Sequence, residues 1–159
     1  MADLSAQSIR ANNIIYPFHE RTLFESKSYK PMSFGLSCCS YDVRAEFDAD
    51  GVREHVIVPP GGAVLVSTIE HFNMGNFFNG KVLDKSSWAR RLLVVQNTLI
   101  EPGWRGFLTV ELTNHSRKYI TLERGVPIAQ IVFTLLDKPT EQPYSGKYQD
   151  QGRGPQAAR

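Results

Sequence analysis

The stretch IEPGWRGFLTVELTN, residues 100–114, decides how this chain is read. From Phe107 to Thr113 it alternates as a strand must, because successive strand side chains point to opposite faces. Leu108, Val110 and Leu112 make one apolar face; Phe107, Thr109, Glu111 and Thr113 make a mixed one. Pro102, Gly103 and Gly106 ahead of it mark a turn. Outward from here the texture stays β. HVIVPPGGAVLVSTIEHF (55–72) reads as strand, turn, strand, and SYDVRAEF (40–47) alternates polar with apolar. RRLLVVQNTLI (90–100) is a further strand, and KYITLERGVPIAQIVFTLL (118–136) is two, broken at Arg124-Gly125. Many short strands separated by Pro/Gly turns predict a mainly all-β barrel or sandwich in a single domain, 1–159.

The ends differ from this middle. Ser5 is placed to cap a short helix running to Arg10 with Ile9 turned inward. Residues 16–35 carry no clear period, so 1–35 reads as an N-terminal helix and arm. Residues 137–159, rich in Pro, Gly, Gln and charge, read as a flexible tail.

Composition narrows the function. The chain has 159 residues, 42% of them hydrophobic, enough for one core. Lys and Arg number 18 against 16 Asp and Glu, a formal +2, which excludes the basic footprint of a nucleic-acid coat but permits a local cationic site. The adjacent pair Cys38-Cys39 cannot build a disulfide framework and fits a reduced compartment. No apolar run reaches the ~18 residues of a membrane span, and MADLSAQSIRANN lacks the apolar core of a secretory signal. A cytoplasmic location, with no membrane or nucleic-acid partner, is the expectation. His19, His55, His71 and His115 are scattered and no Cys-x-x-Cys pair occurs, so the pattern of a zinc-dependent base deaminase is missing.

Four places carry candidate chemistry. By alternation alone Glu111 reads as a surface charge. DKSSWARR (84–91) gathers Lys85, Ser86, Ser87 and Arg90, which is either a polar turn or a set of donors for phosphate oxygens. It is not a Walker loop, because the glycine spacing is absent. Asp42 is an ion-pair partner or an exposed charge. Gln130 lies among apolar neighbours and must find hydrogen bonds there.

Taken in order, these segments resemble the dCTP deaminase family of the dUTPase-like superfamily. The resemblance runs from SYDVR (40–44) through DKSSWAR, IEPGWRGFLTVEL and GVPIAQIVF to QPYSGKYQDQGRGP, with LSAQSIR resembling the family's opening. It implies a distorted β-barrel or jelly-roll subunit and a homotrimer with nucleotide sites between chains. It implies that Lys85, Ser86, Ser87 and Arg90, with Trp88 and Ala89 of the same motif, bind the triphosphate and the base region. Glu101 falls where the family has Asp near the deoxyribose, and Trp104 is the aromatic beneath the sugar. Thr109, Val110 and Glu111 line the pyrimidine, while Gln130, Tyr144, Lys147 and Gln151 close on the phosphates with Mg²⁺. Catalysis is implied for Glu111 as proton shuttle, with Arg90 and Ser86 orienting the water, and no zinc. A carboxylate shielded from water holds a proton more readily, which suits a group that must act as base and then as acid.

The implied reaction converts dCTP to dUTP and ammonia, with dTTP as an inhibitor. Glu101 departs from the family's Asp, and Gln96-Asn97-Thr98 departs from its usual loop. The alternatives are a dUTPase or bifunctional enzyme forming dUMP, or a non-catalytic nucleotide-binding regulator.

Overall fold

Residues 2–158 are described by the computed structural model. In chain order the elements are β1 (Ala2–Asp3), α1 (Ala6–Ala11), β2 (Ile15–Tyr16), β3 (Thr22–Phe24), β4 (Met32–Leu36), β5 (Tyr41–Glu46), β6 (His55–Val58) and β7 (Ala63–Asn73). They continue with β8 (Phe78–Asp84), α2 (Ser86–Ala89), β9 (Leu93–Val95), β10 (Leu99–Ile100), β11 (Arg105–Asn114), β12 (Ile120–Glu123) and β13 (Pro127–Leu135). The all-β expectation holds.

The long sheet runs β10-β8-β13-β5-β7-β11-β9, with β12 and β6 forming a separate antiparallel pair. Strand β5 curls it. Tyr41 to Arg44 pair with β13, whereas Ala45 and Glu46 pair with Thr68 and Ser67 of β7. One strand therefore passes the sheet from one half to the other, and the two halves close on a shared core. Val43, Val66, Leu112, Leu122, Ile128 and Phe133 are fully buried in it.

Differences from the sequence reading have local causes. Residues 16–35 are not simply an arm: β3 and β4 form a hairpin, held by Thr22–Phe34 and Phe24–Met32 pairs. Strand β8 is unreadable from FNGKVLD because Asn79 and Gly80 interrupt its alternation; seven paired positions along β13 hold it instead. The span 90–100 is two short strands, since β9 pairs with β11 and β10 with β8. Strand β5 is covered on both faces, so its polar positions are buried too. Glu46 receives Arg124 at 3.0 Å. From β7, Glu70 receives both the backbone N–H and the guanidinium of Arg44, at 2.9 and 2.7 Å. Burial pushes the Glu70 carboxyl up against the pull of Arg44. Paired in this way, buried carboxylates are tolerable; unpaired, each would be strongly destabilising.

Candidate functional site

Strand β11 is the longest partner of β7, and its burial alternates from Gly106 to Asn114 as the sequence predicts. The register shifts once, between Phe107 and Thr109. There the Leu108 N–H is taken by the Thr68 hydroxyl at 3.0 Å, so the bulge leaves no donor unsatisfied. Beyond it Thr109 and Glu111 face a pocket of about 380 Å³, which Glu101, Trp104, Tyr144 and Gln151 also line. Glu111 is half-buried, not a free surface charge. Trp104 is held by its indole N–H on the Tyr148 carbonyl at 2.8 Å. Among the described residues none lining the pocket is Lys or Arg, and two are glutamates.

The tail forms one wall. Although read as flexible, here it lies against the start of β11: Phe107 N–H donates to Gln151 O at 2.9 Å, and the Gln151 amide donates to Thr109 Oγ1 at 2.7 Å. The backbone N–H of Gln156 also donates to Thr109 Oγ1, at 3.0 Å. Two glycines permit this crossing. A Cβ at Gly103, φ 84°, would stand 2.6 Å from Pro143 Cβ, and one at Gly106, φ 144°, would stand 2.7 Å from Gln151 N. Their place in the sequence reads only as a turn, so the tail's course was illegible there.

The remaining candidates lie elsewhere on the chain. None of Lys85, Ser86, Ser87, Trp88, Ala89, Arg90, Gln130 or Lys147 lines the pocket. Ser86 and Arg90 are exposed on α2, and Ser87 and Ala89 are half-buried. The side chain of Trp88, expected in the nucleotide-binding motif, is part of the core. It is 1% exposed, its indole N–H donates to Pro127 O at 2.6 Å, and Tyr29 packs edge-on at 5.0 Å. It anchors α2 to the core. Val110 likewise turns its side chain inward, leaving only its backbone for a ligand.

Lys85 is buried and ion-paired with Asp42 at 2.5 Å, so its ammonium does not face solvent. Burial pushes the Asp42 carboxyl up, opposed by Lys85, and Asp42 Oδ1 has no hydrogen-bond partner among the described residues. Gln130 finds the partner its setting demands: its amide donates to Ser40 Oγ at 2.8 Å. Leu65, Leu99, Tyr148 and Gln156 also line the pocket, as does Thr98 of the divergent Gln96-Asn97-Thr98 loop. Tyr148 and Gln156 belong to the tail, whereas nothing in the sequence points to Leu65 or Leu99. Leu65 reaches Glu111 through a β7–β11 register that no local pattern announces.

Among the described residues, no group of three or more His, Cys, Asp or Glu is arranged to hold a metal ion.

A family model described as dCTP deaminase-like matches residues 40–136. The chain belongs to the dCTP deaminase family. A dCTP deaminase of Campylobacter fetus is 32% identical, with 91% of this chain and 89% of that protein covered. One from Coxiella burnetii is 30% identical over 89% of this chain and 88% of the relative. Among solved structures, a dUTPase from phage phi11 of S. aureus superposes with a TM-score of 0.55 at 14% identity, covering 83% of this chain and 95% of that one. That structure is described as showing coordination of a structural Mg(II) ion. This likeness bears on fold, and it matches the dUTPase-like barrel expected of the family member.

Proposed function

We propose that the chain is a dCTP deaminase that hydrolyses the C4–N4 bond of the cytosine in dCTP, giving dUTP and ammonia. Glu111 carries this reading: a half-buried carboxylate in mid-strand, lining a pocket beside Trp104, in a chain of the dCTP deaminase family. So placed, it can take a proton from water as hydroxide adds to C4, then pass it to the amino group as ammonia leaves. Trp104 would lie beneath the sugar, and Thr109 with the Val110 backbone would meet the pyrimidine. Activation of the water is assigned to this carboxylate, without zinc.

The pocket's charge supports a second element of the reading. Among the described residues the lining offers two glutamates and no cation, a poor match for the charge of a triphosphate. Arg90 and Ser86 are exposed and are not among the residues lining this pocket. In a homotrimer a neighbouring copy would bring its α2 to the pocket mouth, and there Arg90 and Ser86 would orient the water and the developing tetrahedral centre. Ser87, Gln130, Tyr144, Lys147 and Gln151 are assigned to the triphosphate. Mg²⁺ would arrive on the phosphates. Lys85 would act by fixing α2 through Asp42. As a close relative of the product, dTTP is expected to compete for the site.

Incubation with dCTP, followed by chromatography and ammonia assay, tests the reading. Equimolar dUTP and ammonia are expected; intact dCTP would reject it. Glu101 lines the same pocket where the family has Asp, and the alternative reading is a bifunctional enzyme that continues to dUMP. Pyrophosphate released with dUMP would establish that alternative, and dUTP as sole product would dismiss it.

A further inference from the structure

Leu65 is the direct cross-strand partner of Glu111 on β7. Both residues line the pocket, together with Thr98 and Leu99. Leu65 is 40% and Leu99 44% exposed, whereas the large apolar residues Ile100, Trp104 and Leu108 of the same pocket are buried. Both leucines are fixed in place. Leu65 sits within β7, and Leu99 pairs with Lys81 of β8 while the neighbouring Thr98 carbonyl accepts the Val82 N–H at 3.1 Å. The result is a rigid, open apolar wall beside the carboxylate.

The chemistry of cytosine says what such a wall can face. N3, N4 and O2 carry hydrogen-bonding groups; only the C5–C6 edge is apolar. C4 is bonded to N3 on one side and C5 on the other. A leucine against N3 would leave a buried acceptor unpaired, which is costly. Of the pocket's polar residues, Thr109 and Gln151 lie together through their 2.7 Å hydrogen bond, while Thr98 precedes Leu99. Leu65 and Leu99 are therefore matched to the C5 side.

We propose that Leu65, Thr98 and Leu99 form a subsite for a 5-methyl group, and that the deaminase accepts 5-methyl-dCTP. This inference rests on the deaminase reading of Glu111. The step balances: 5-methyl-dCTP and water give dTTP and ammonia, the C4–N4 bond breaking as a C4–O bond forms. The methyl group neither gains nor loses electrons. Burying one methyl on an apolar wall is worth a factor of about four in binding.

The test measures kcat/KM for 5-methyl-dCTP and dCTP with wild type, Leu65→Ala, Leu99→Ala and Leu65→Phe. Calorimetry of both nucleotides with wild-type and Glu111→Gln protein accompanies it. The expected methyl preference is about fourfold in wild type and falls toward one in the alanine variants. Leu65→Phe, which fills the wall without emptying the strand, should reverse it. Turnover of dCTP with 5-methyl-dCTP worse by about tenfold or more would overturn the subsite, as would a ratio that none of the three variants moves. If neither nucleotide is deaminated, the activity assigned to Glu111 fails, and calorimetry still decides the subsite. Tighter binding of the methylated nucleotide supports it; equal or weaker binding overturns it.

Discussion

Glu111 shares the mixed face of β11 with Thr109, whose hydroxyl already accepts two hydrogen bonds from the tail. The carboxylate is thus the group on that face suited to carrying a proton. Glu111→Gln keeps the shape and the strand but cannot carry the proton. We expect nucleotide binding within a few-fold of wild type and kcat lower by about 10²–10⁴, read by calorimetry and steady-state kinetics. Alternation in the sequence identified the face of Glu111 and could not show that a pocket lay over it, because the pocket's other walls come from β7, β10 and the tail. Residue type alone could not reveal the partners of Lys85 and Trp88. A lysine and a tryptophan inside a donor-rich loop resemble ligand contacts, yet one meets a buried carboxylate and the other a backbone carbonyl.

Tyr41 gives a prediction of a different kind. It is fully buried, and its hydroxyl accepts the His19 N–H at 3.0 Å. Burial, together with the nearby Glu70 carboxylate, pushes its ionisation well above the ordinary tyrosine value. The folded protein then keeps this proton at a pH where the unfolded chain has lost it. The stabilisation is complete below the ordinary value of about 10 and is lost as pH rises beyond it toward the folded value. Thermal unfolding midpoints should fall steeply above a pH of about 10 in wild type. Tyr41→Phe should start lower, having lost the His19 contact, and show a shallower alkaline decline.

At the scale of elements, the tail depends on the glycines it crosses. A methyl group at Gly106 would meet Gln151 N at 2.7 Å, and φ 144° is itself unfavourable for a side chain. Gly106→Ala should weaken the tail's hold by about 1–3 kcal/mol. Limited trypsinolysis at Lys147 and Arg153 should speed up by about tenfold or more, since cleavage tracks local opening. Unchanged cleavage would show that the tail is held by something other than β11. Composition made this segment look disordered because Gly, Pro and Gln bury little surface. What holds it is a set of backbone and side-chain hydrogen bonds to a strand start, from Gln149, Asp150 and Gln151 among others, whose partners composition does not record. The strands β5, β7, β11 and β13 were legible because β-branched and aliphatic residues recur between Pro/Gly turns. Strands β3, β4 and β8 were not, being short or interrupted by Gly and Asn and fixed by distant partners.

For the whole molecule, the decisive feature is a division. Glu111, Trp104 and the tail line one pocket; exposed Ser86, which opens α2, and Arg90, which caps it, are not in that lining. A single chain's sequence lists both sets and cannot say that they fail to meet. If neighbouring copies join them, a defect in each half can be repaired by mixing. Glu111→Gln supplies an intact α2 and Arg90→Ala an intact pocket. The two variants, each inactive alone, should be co-refolded in equal amounts and assayed for dUTP and ammonia from dCTP. In randomly mixed trimers about one site in four unites two intact halves, so recovery of about a quarter of wild-type activity is expected. No recovery from a well-mixed trimer, or full activity of either variant alone, would contradict a deaminase site shared between chains around Glu111.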